Sequence, residues 1–204
     1  MPKATKKNPI ISPTQERSQQ TFEAIVKATT YLIEARGLNH FTTNEIAEKA
    51  GVNINSFYQY FFNKDAAILE VTNRLMKGDE DFFALSLEKS ANLKSEEALK
   101  QILVHMNQLM SRNKVLRKNI LVNLGSIIGS DKLHRRRRLF AQSLVPFIPK
   151  DKFPTEDDRF LASQVIVHTF LSVTVGFMDG ALRETEKEKI QSEIMKLIMN
   201  YVIR

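Results

Sequence analysis

Phe22, Ile25, Val26, Thr29, Leu32 and Ile33 recur at intervals of three and four, the spacing that gathers side chains on one face of an α-helix. The stripe predicts a helix over residues 15–36. Gly37 fits the left-handed position that stops a helix, and Leu38 can make the apolar contact beyond it. Two much shorter helical patterns follow, Thr43–Ala50 and Asn53–Tyr60, with Gly51 between them. Thr42 and Glu45 have the spacing of a capping box, and Phe41 and Ile46 that of a hydrophobic staple. Asn53 and Asn63 suit the caps of the second short helix and of a longer one beginning at Lys64. Beyond it, the pattern reads as helices over 64–89, 95–111, 114–128, 131–148, 155–183 and 186–203. The clearest stripes are Leu99, Ile102, Leu103, Met106, Leu109 and Met110, and then Ile190, Ile194, Leu197, Ile198, Tyr201 and Val202. The break at 150–154, KDKFP, is followed by Thr155 and Asp158 as a cap. Period-two alternation of β-branched residues is scarce, and there are only 7 Gly and 6 Pro, so the predicted fold is all-α.

Neither short helix can bury a core by itself. Two such stubs crossing at a glycine-containing turn match a helix-turn-helix, in which the second helix offers its first residues to the edges of bases in the major groove. The first long helix would supply the missing core, with Ile46, Ala47 and Ala50 packing on Phe57, Phe61 and the Phe22/Ile25 stripe. Thr43, Asn44, Ile54, Asn55, Ser56, Tyr58, Gln59, Tyr60 and Lys64 are then expected to face out. An Asn side chain can pair with adenine, and hydroxyls can donate to phosphates, which sets register without reading sequence. Lys64 at a helix start suits a phosphate.

Charge changes this picture only locally. The net charge of +7 is uneven: residues 111–138 hold 9 basic residues against one acid, and residues 65–110 carry an acidic excess. The prolines and lysines of residues 1–14 predict a flexible basic arm. A basic balance permits an anionic partner without proving one. With no cysteine there is no disulfide, thiol nucleophile or Cys-based zinc site, and the four histidines show no metal spacing, so no cofactor or metal is expected. The N-terminus lacks the apolar core of a signal peptide. Residues 160–178 form the most apolar stretch, but Ser163, Gln164, His168, Thr169, Ser172 and Thr174 interrupt it, so a buried helix and no membrane partner is the expectation. The sequence shows no Ser/His/Asp order, no phosphate-binding Gly-rich loop and no HExxH, which argues against an enzyme.

Residues 17–71 resemble the N-terminal domain of the tetracycline-repressor-like (TetR) family of bacterial transcriptional regulators. The resemblance rests on RSQQTFEAIVKAT, the glycine of EARGL, TTNEIAEKAGV and FYQYFFNKDA, in that order. Asn53 stands where the family usually has Ser or Thr, and Asn55 where glycine is common. The resemblance implies a helix-turn-helix domain over 15–64 and a larger helical ligand-binding and dimerisation domain over 65–204. It implies a cytoplasmic repressor that binds a palindromic operator in double-stranded DNA as a homodimer and is released by a small-molecule effector. By position, Thr43, Tyr58, Tyr60 and Lys64 would hold phosphates, and Asn44, Ile54, Asn55 and Ser56 would lie nearest the bases.

For the second domain the residues leave more open. Met106, Met110, Phe140, Phe177 and His168 can fill a core or, as the resemblance implies, line a cavity for a bulky apolar or amphipathic effector. Ser172, Gly176 and Gly180, spaced by four, together with Ile194, Leu197, Ile198 and Tyr201, are the expected dimer surface. The run HRRRR at 134–138 wraps most of a helical turn, so its arginines cannot all share one face. Arg136 or Arg137 falls near the inner face. It can clamp an anionic ligand, or it can pair with the acidic run Asp79–Asp81. The rival to a ligand-responsive regulator is an architectural DNA-binding protein that uses the basic surface 111–138.

Overall fold

The computed structural model describes residues 16–203; the predicted arm at residues 1–14 lies outside them. The described residues form helices and no strand: α1 (Glu16–Arg36), α2 (Thr43–Ala50), α3 (Ile54–Tyr60), α4 (Lys64–Ser90), α5 (Ser95–Ser111), α6 (Lys114–Leu121), α7 (Leu124–Ile128), α8 (Ser130–Leu144), α9 (Glu156–Asp179) and α10 (Lys187–Ile203). The fold is all-α, as the periodicity predicts. The chain divides into two compact units, Met1–Lys77 and Gly78–Arg204, with the border inside α4.

In the first unit the stripe of α1 is buried with Phe41, Ile46, Phe57 and Phe61. The Phe22 ring stacks on Phe61 at 5.1 Å and meets Tyr60 edge-on at 5.8 Å. Thr29, the polar member of the stripe, is fully buried because its hydroxyl donates to the Ile25 carbonyl at 2.8 Å. The caps form as the residue types require. Glu45 N–H donates to the Thr42 hydroxyl at 3.3 Å, and the Glu45 carboxylate accepts from Thr42 N–H at 2.8 Å. Asn53 and Asn63 accept from Ser56 N–H and Ala66 N–H at 2.8 and 2.9 Å. Gly51 holds φ of +68°, a left-handed value that would strain any residue with a Cβ, and its turn lets α3 start three residues later, at Ile54.

The second unit is a helical bundle whose core joins α4, α5, α8, α9 and α10 through Phe83, Leu99, Ile102, Leu144, Ile166 and Ile198. Three helix ends differ from the expectation, each for a local reason. The helix predicted over 114–128 breaks into α6 and α7 at Asn123, whose side chain donates to the Asn119 carbonyl and whose carbonyl accepts from the Ser126 hydroxyl. Pro146 tightens the end of α8 into a 3-10 turn over Val145–Phe147. The α9 helix stops at Asp179 because Gly180 turns left-handed, with φ of +87°. A buried ion pair crosses this core. Arg117 donates through both terminal nitrogens to Asp79, at 2.9 and 2.6 Å, and through Nε to the Arg112 carbonyl at 2.9 Å. With its hydrogen bonds made, this pair is tolerable in the interior, where a lone charge would not be. By length and composition α9 would also span a bilayer. Here Ala162, Ser163, Ile166 and Val167 turn its inner face into the helical core.

Candidate functional site

The outward face of the helix-turn-helix is built by the inward one. Phe57 and Tyr60 are the buried residues of α3, which leaves Asn55, Tyr58 and Gln59 exposed and Ile54 and Ser56 partly so. On α2, Ile46 and Ala47 are buried, Asn44 is exposed and Thr43 partly exposed. Tyr58, 51% exposed, brings its hydroxyl to 3.2 Å from that of Thr43. The pair ties the start of α2 to the middle of α3 and puts two hydroxyls side by side, a fit for a phosphate oxygen. Glu45 is the acid nearest this face in sequence. Its carboxyl is held below the ordinary carboxylate range by Arg36, then by the Thr42 backbone and hydroxyl. The ion pair with Arg36 offsets a charge that would repel DNA, and the bonds from Thr42 fix the carboxylate in place.

Two expected contacts stand differently. Tyr60 does not face out: it is 9% exposed, and its ring packs against Phe22, because in a seven-residue helix Phe57 and Tyr60 share the inner face. Lys64 is partly buried; its ammonium donates to the Leu38 carbonyl at 3.2 Å and lies 5.1 Å from the centre of the Phe41 ring. This lysine therefore fastens the start of α4 to the loop after α1. Lys49, whose ammonium sits 3.8 Å over the Tyr31 ring, was not singled out by the pattern, which marks apolar spacing and is silent about cations on rings.

In the second unit two neighbouring cavities share Leu103 and Phe170. The first, about 400 Å³ with its open mouth, is lined wholly by apolar residues, among them Met106, Phe140, Leu144, Ile166 and Leu171. The second, about 390 Å³ with its open mouth, adds Asn107, Thr174 and Gln191 to Phe177, Ile194 and Ile198. Met106, Phe140 and Phe177 thus line cavities. Met110 and Arg137 line neither. His168 is exposed, because it falls on the outer side of α9, opposite Ile166 and Val167. The sequence does not single out Leu103, Asn107, Thr174 and Gln191 as cavity residues; the last three are polar positions inside otherwise apolar stripes, and that combination was the available signal.

The expected dimer residues also separate. Ser172 is exposed, Leu197 is 58% exposed and Tyr201 39%. Ile194 and Ile198 instead pack in the core of their own chain. Gly176 is buried, and a Cβ there would stand 3.0 Å from Leu182 Cδ1, so its smallness admits Leu182 rather than a second helix. Gly180 is the C-cap of α9. Leu161 and Val165, 59% and 46% exposed, continue the outer face of α9 and were not foreseen. The arginine run resolves towards internal pairing: Arg136 donates to Glu80 and lies over the Phe140 ring, while Arg138 lies over Phe160. Burial pulls the Arg136 guanidinium below its ordinary value, and Glu80 opposes the shift.

The model of the N-terminal domain of bacterial regulatory proteins of the tetR family matches residues 25–71, which span the end of α1, both short helices and the start of α4. The N-terminal domain is that of the tetR family. Residues 25–71 are accordingly a DNA-binding domain of that type. No curated protein matches the sequence. Solved tetR-type structures match the chain over most of its length. The fatty acid degradation regulator FadR from Bacillus halodurans has a TM-score of 0.67 at 20% identity, over 92% of this chain and 97% of that one. A TetR/AcrR-family regulator from Thermobifida fusca has 0.64 at 19%, over 93% and 100%. SmeT, in complex with triclosan, has 0.63 at 17%, over 91% and 93%. At these identities the likeness establishes the fold.

Proposed function

We propose that this tetR-type chain is a cytoplasmic repressor that binds a palindromic operator as a homodimer and releases it when a small apolar or amphipathic effector binds. In this reading residues 15–64 bind DNA, and residues 65–204 bind the effector and the second copy. The observation that carries it is the outward face of α3 and α2: neutral amides and hydroxyls on Asn44, Asn55, Tyr58 and Gln59, exposed above a core of phenylalanines. Such a face can hydrogen-bond both bases and phosphates. The dimer is supported by α9, of whose most apolar stretch only 22% is buried within the chain. Its outer residues Leu161 and Val165, with Leu197 and Tyr201 on α10, are exposed apolar side chains that a two-fold copy would cover. The apolar cavity supports the effector class, and the triclosan complex of SmeT is a fold-mate holding a ligand of that kind. Effector and operator would then be linked by one coupling free energy, so each weakens the other equally.

The architectural rival loses support from the pairing inside the basic run. Arg117 is buried on Asp79, Arg136 bonds Glu80, and Lys114 bonds Glu184 at 2.6 Å. The test is titration of the purified chain with DNA from upstream of its own gene, against unrelated competitor DNA. Wild type runs beside Asn55→Ala and beside a chain with Arg135→Ala and Arg138→Ala. The repressor reading expects selective binding that Asn55→Ala weakens and the arginine variant keeps. Unselective binding that falls with the arginines would replace it with the rival.

A further inference from the structure

The two cavities differ in chemistry, and the difference says what kind of molecule they admit. The apolar one offers no hydrogen-bonding side chain. The other carries Asn107, Thr174 and Gln191. Gln191 Nε2 donates to Asn107 Oδ1 at 3.0 Å, joining α10 to α5 across the cavity wall. Thr174 spends its proton on the Phe170 carbonyl at 2.8 Å. An amide pair bonded in this way leaves one NH2 group and one carbonyl oxygen unspent by that bond. Reversing both amides leaves the same set. The wall therefore offers a donor and an acceptor together. Neither lining includes a charged side chain. Two cations stand behind the linings, and each has an acidic partner: Arg136, 4.9 Å from the centre of the Phe140 ring on the apolar side, bonds Glu80, and Lys187, 5.9 Å from the centre of the Phe177 ring on the polar side, pairs with Glu184 at 3.3 Å.

We propose that the effector is an uncharged amphiphile, its carbon chain in the apolar cavity and a hydroxyl or carboxamide head hydrogen-bonded by Asn107 and Gln191. The proposal rests on the effector reading above and narrows it. A hydroxyl or primary amide is both donor and acceptor, so it satisfies both sides of the amide pair. A carboxylate can use only the donor side, and leaves the carbonyl facing an anion without a counter-charge; an ammonium fails on the donor side. The shared residues Leu103 and Phe170 make the apolar and polar spaces neighbours, and the proposal has one molecule of alkyl-chain length span both.

The experiment is calorimetric titration of the full chain with four probes of one chain length: decan-1-ol, decanamide, decanoate and decylamine. The alcohol and the amide are expected to bind at least about tenfold more tightly than either ion, the cost of a buried polar group left unmatched. Asn107→Leu is expected to weaken the neutral probes about tenfold and leave the ions unchanged. Gln191→Lys, which places a cation at the head site, should reverse the order in favour of decanoate. That gain guards against loss by misfolding, which circular dichroism checks in each variant. Decanoate binding wild type as tightly as decanol overturns the proposal, most directly if Lys187→Met abolishes it. So do neutral probes insensitive to both Asn107→Leu and Gln191→Lys. Failure of all four probes overturns the cavity as effector site, and this proposal with it. Operator binding, measured separately, would be untouched by that result.

Discussion

The hydroxyl of Tyr58 and the ring of Tyr60 show how two like residues two positions apart take opposite work. Tyr58 is solvent-facing beside Thr43, and Tyr60 is a core aromatic on Phe22. Tyr58→Phe is expected to leave stability within about 0.5 kcal/mol, as for surface changes generally, while weakening operator binding about tenfold through one lost bond to a charged group. Denaturant unfolding and DNA titration by fluorescence anisotropy check the two halves; equal losses in both would mean the hydroxyl serves the fold. A second prediction concerns pH. Arg74 grips Glu23 through both terminal nitrogens, at 2.6 and 2.7 Å, and holds its carboxyl below the ordinary 4.5. A depressed carboxylate contributes stability that is complete above the unfolded value and lost as pH falls through the folded one. Glu23→Gln should therefore be less stable than wild type at pH 7, and the gap should close below about pH 4.5. Both groups are well exposed, so the gap is small. Urea midpoints measured across that range give the result.

At the scale of elements, α2 and α3 hold eight and seven residues, too short to persist by propensity. Their caps and the core of α1 keep them helical. Thr42→Ala removes one half of a reciprocal cap and should cost about 1 kcal/mol. It should also weaken DNA binding, since the cap sets the start of α2 and with it Thr43. Thr42→Ser keeps the oxygen, and thermal unfolding of the pair should show Ser close to wild type and Ala below it. Much of this was legible in sequence because caps and staples are local: Thr42, Glu45, Asn53, Asn63, Thr155 and Gly37 all act where the pattern places them. The helix ends at Asn123, Pro146 and Gly180 were less legible. Each depends on a competing bond or a backbone angle within an otherwise continuous apolar pattern.

For the whole molecule, the exposed apolar faces of α9 and α10 carry the strongest expectation. A chain with Leu161→Glu and Leu197→Glu changes two residues that are more than half exposed, so it should fold normally. In the proposed two-fold interface these charges would be buried against apolar neighbours, and such a chain is expected to sediment as a monomer while wild type is expected to sediment as a dimer. Operator affinity should fall with it, by at least about tenfold, since one half-site then binds alone. A monomeric wild type, or a double variant that still dimerises, would move the interface elsewhere. Helical spacing could not separate these faces from the core. Ile194, Leu197, Ile198 and Tyr201 lie along one apolar stripe, yet Ile198 is buried in its own chain and Leu197 is open.

The sequence by itself determined what is local and periodic: nine helices, of which the structure splits one at Asn123, their caps, the glycine turn, and the order of motifs that marks a helix-turn-helix. Those follow from side-chain spacing and from backbone donors that must be met within a few residues. Only the tertiary structure decided which side of each stripe is covered. It turned Tyr60 inward, pointed His168 outward, spent Gly176 on Leu182, and gave Arg117 and Arg136 acidic partners 38 and 56 residues away. It also brought Asn107 against Gln191, 84 residues apart. Burial and pairing of that kind depend on which helices meet, and no local spacing encodes it.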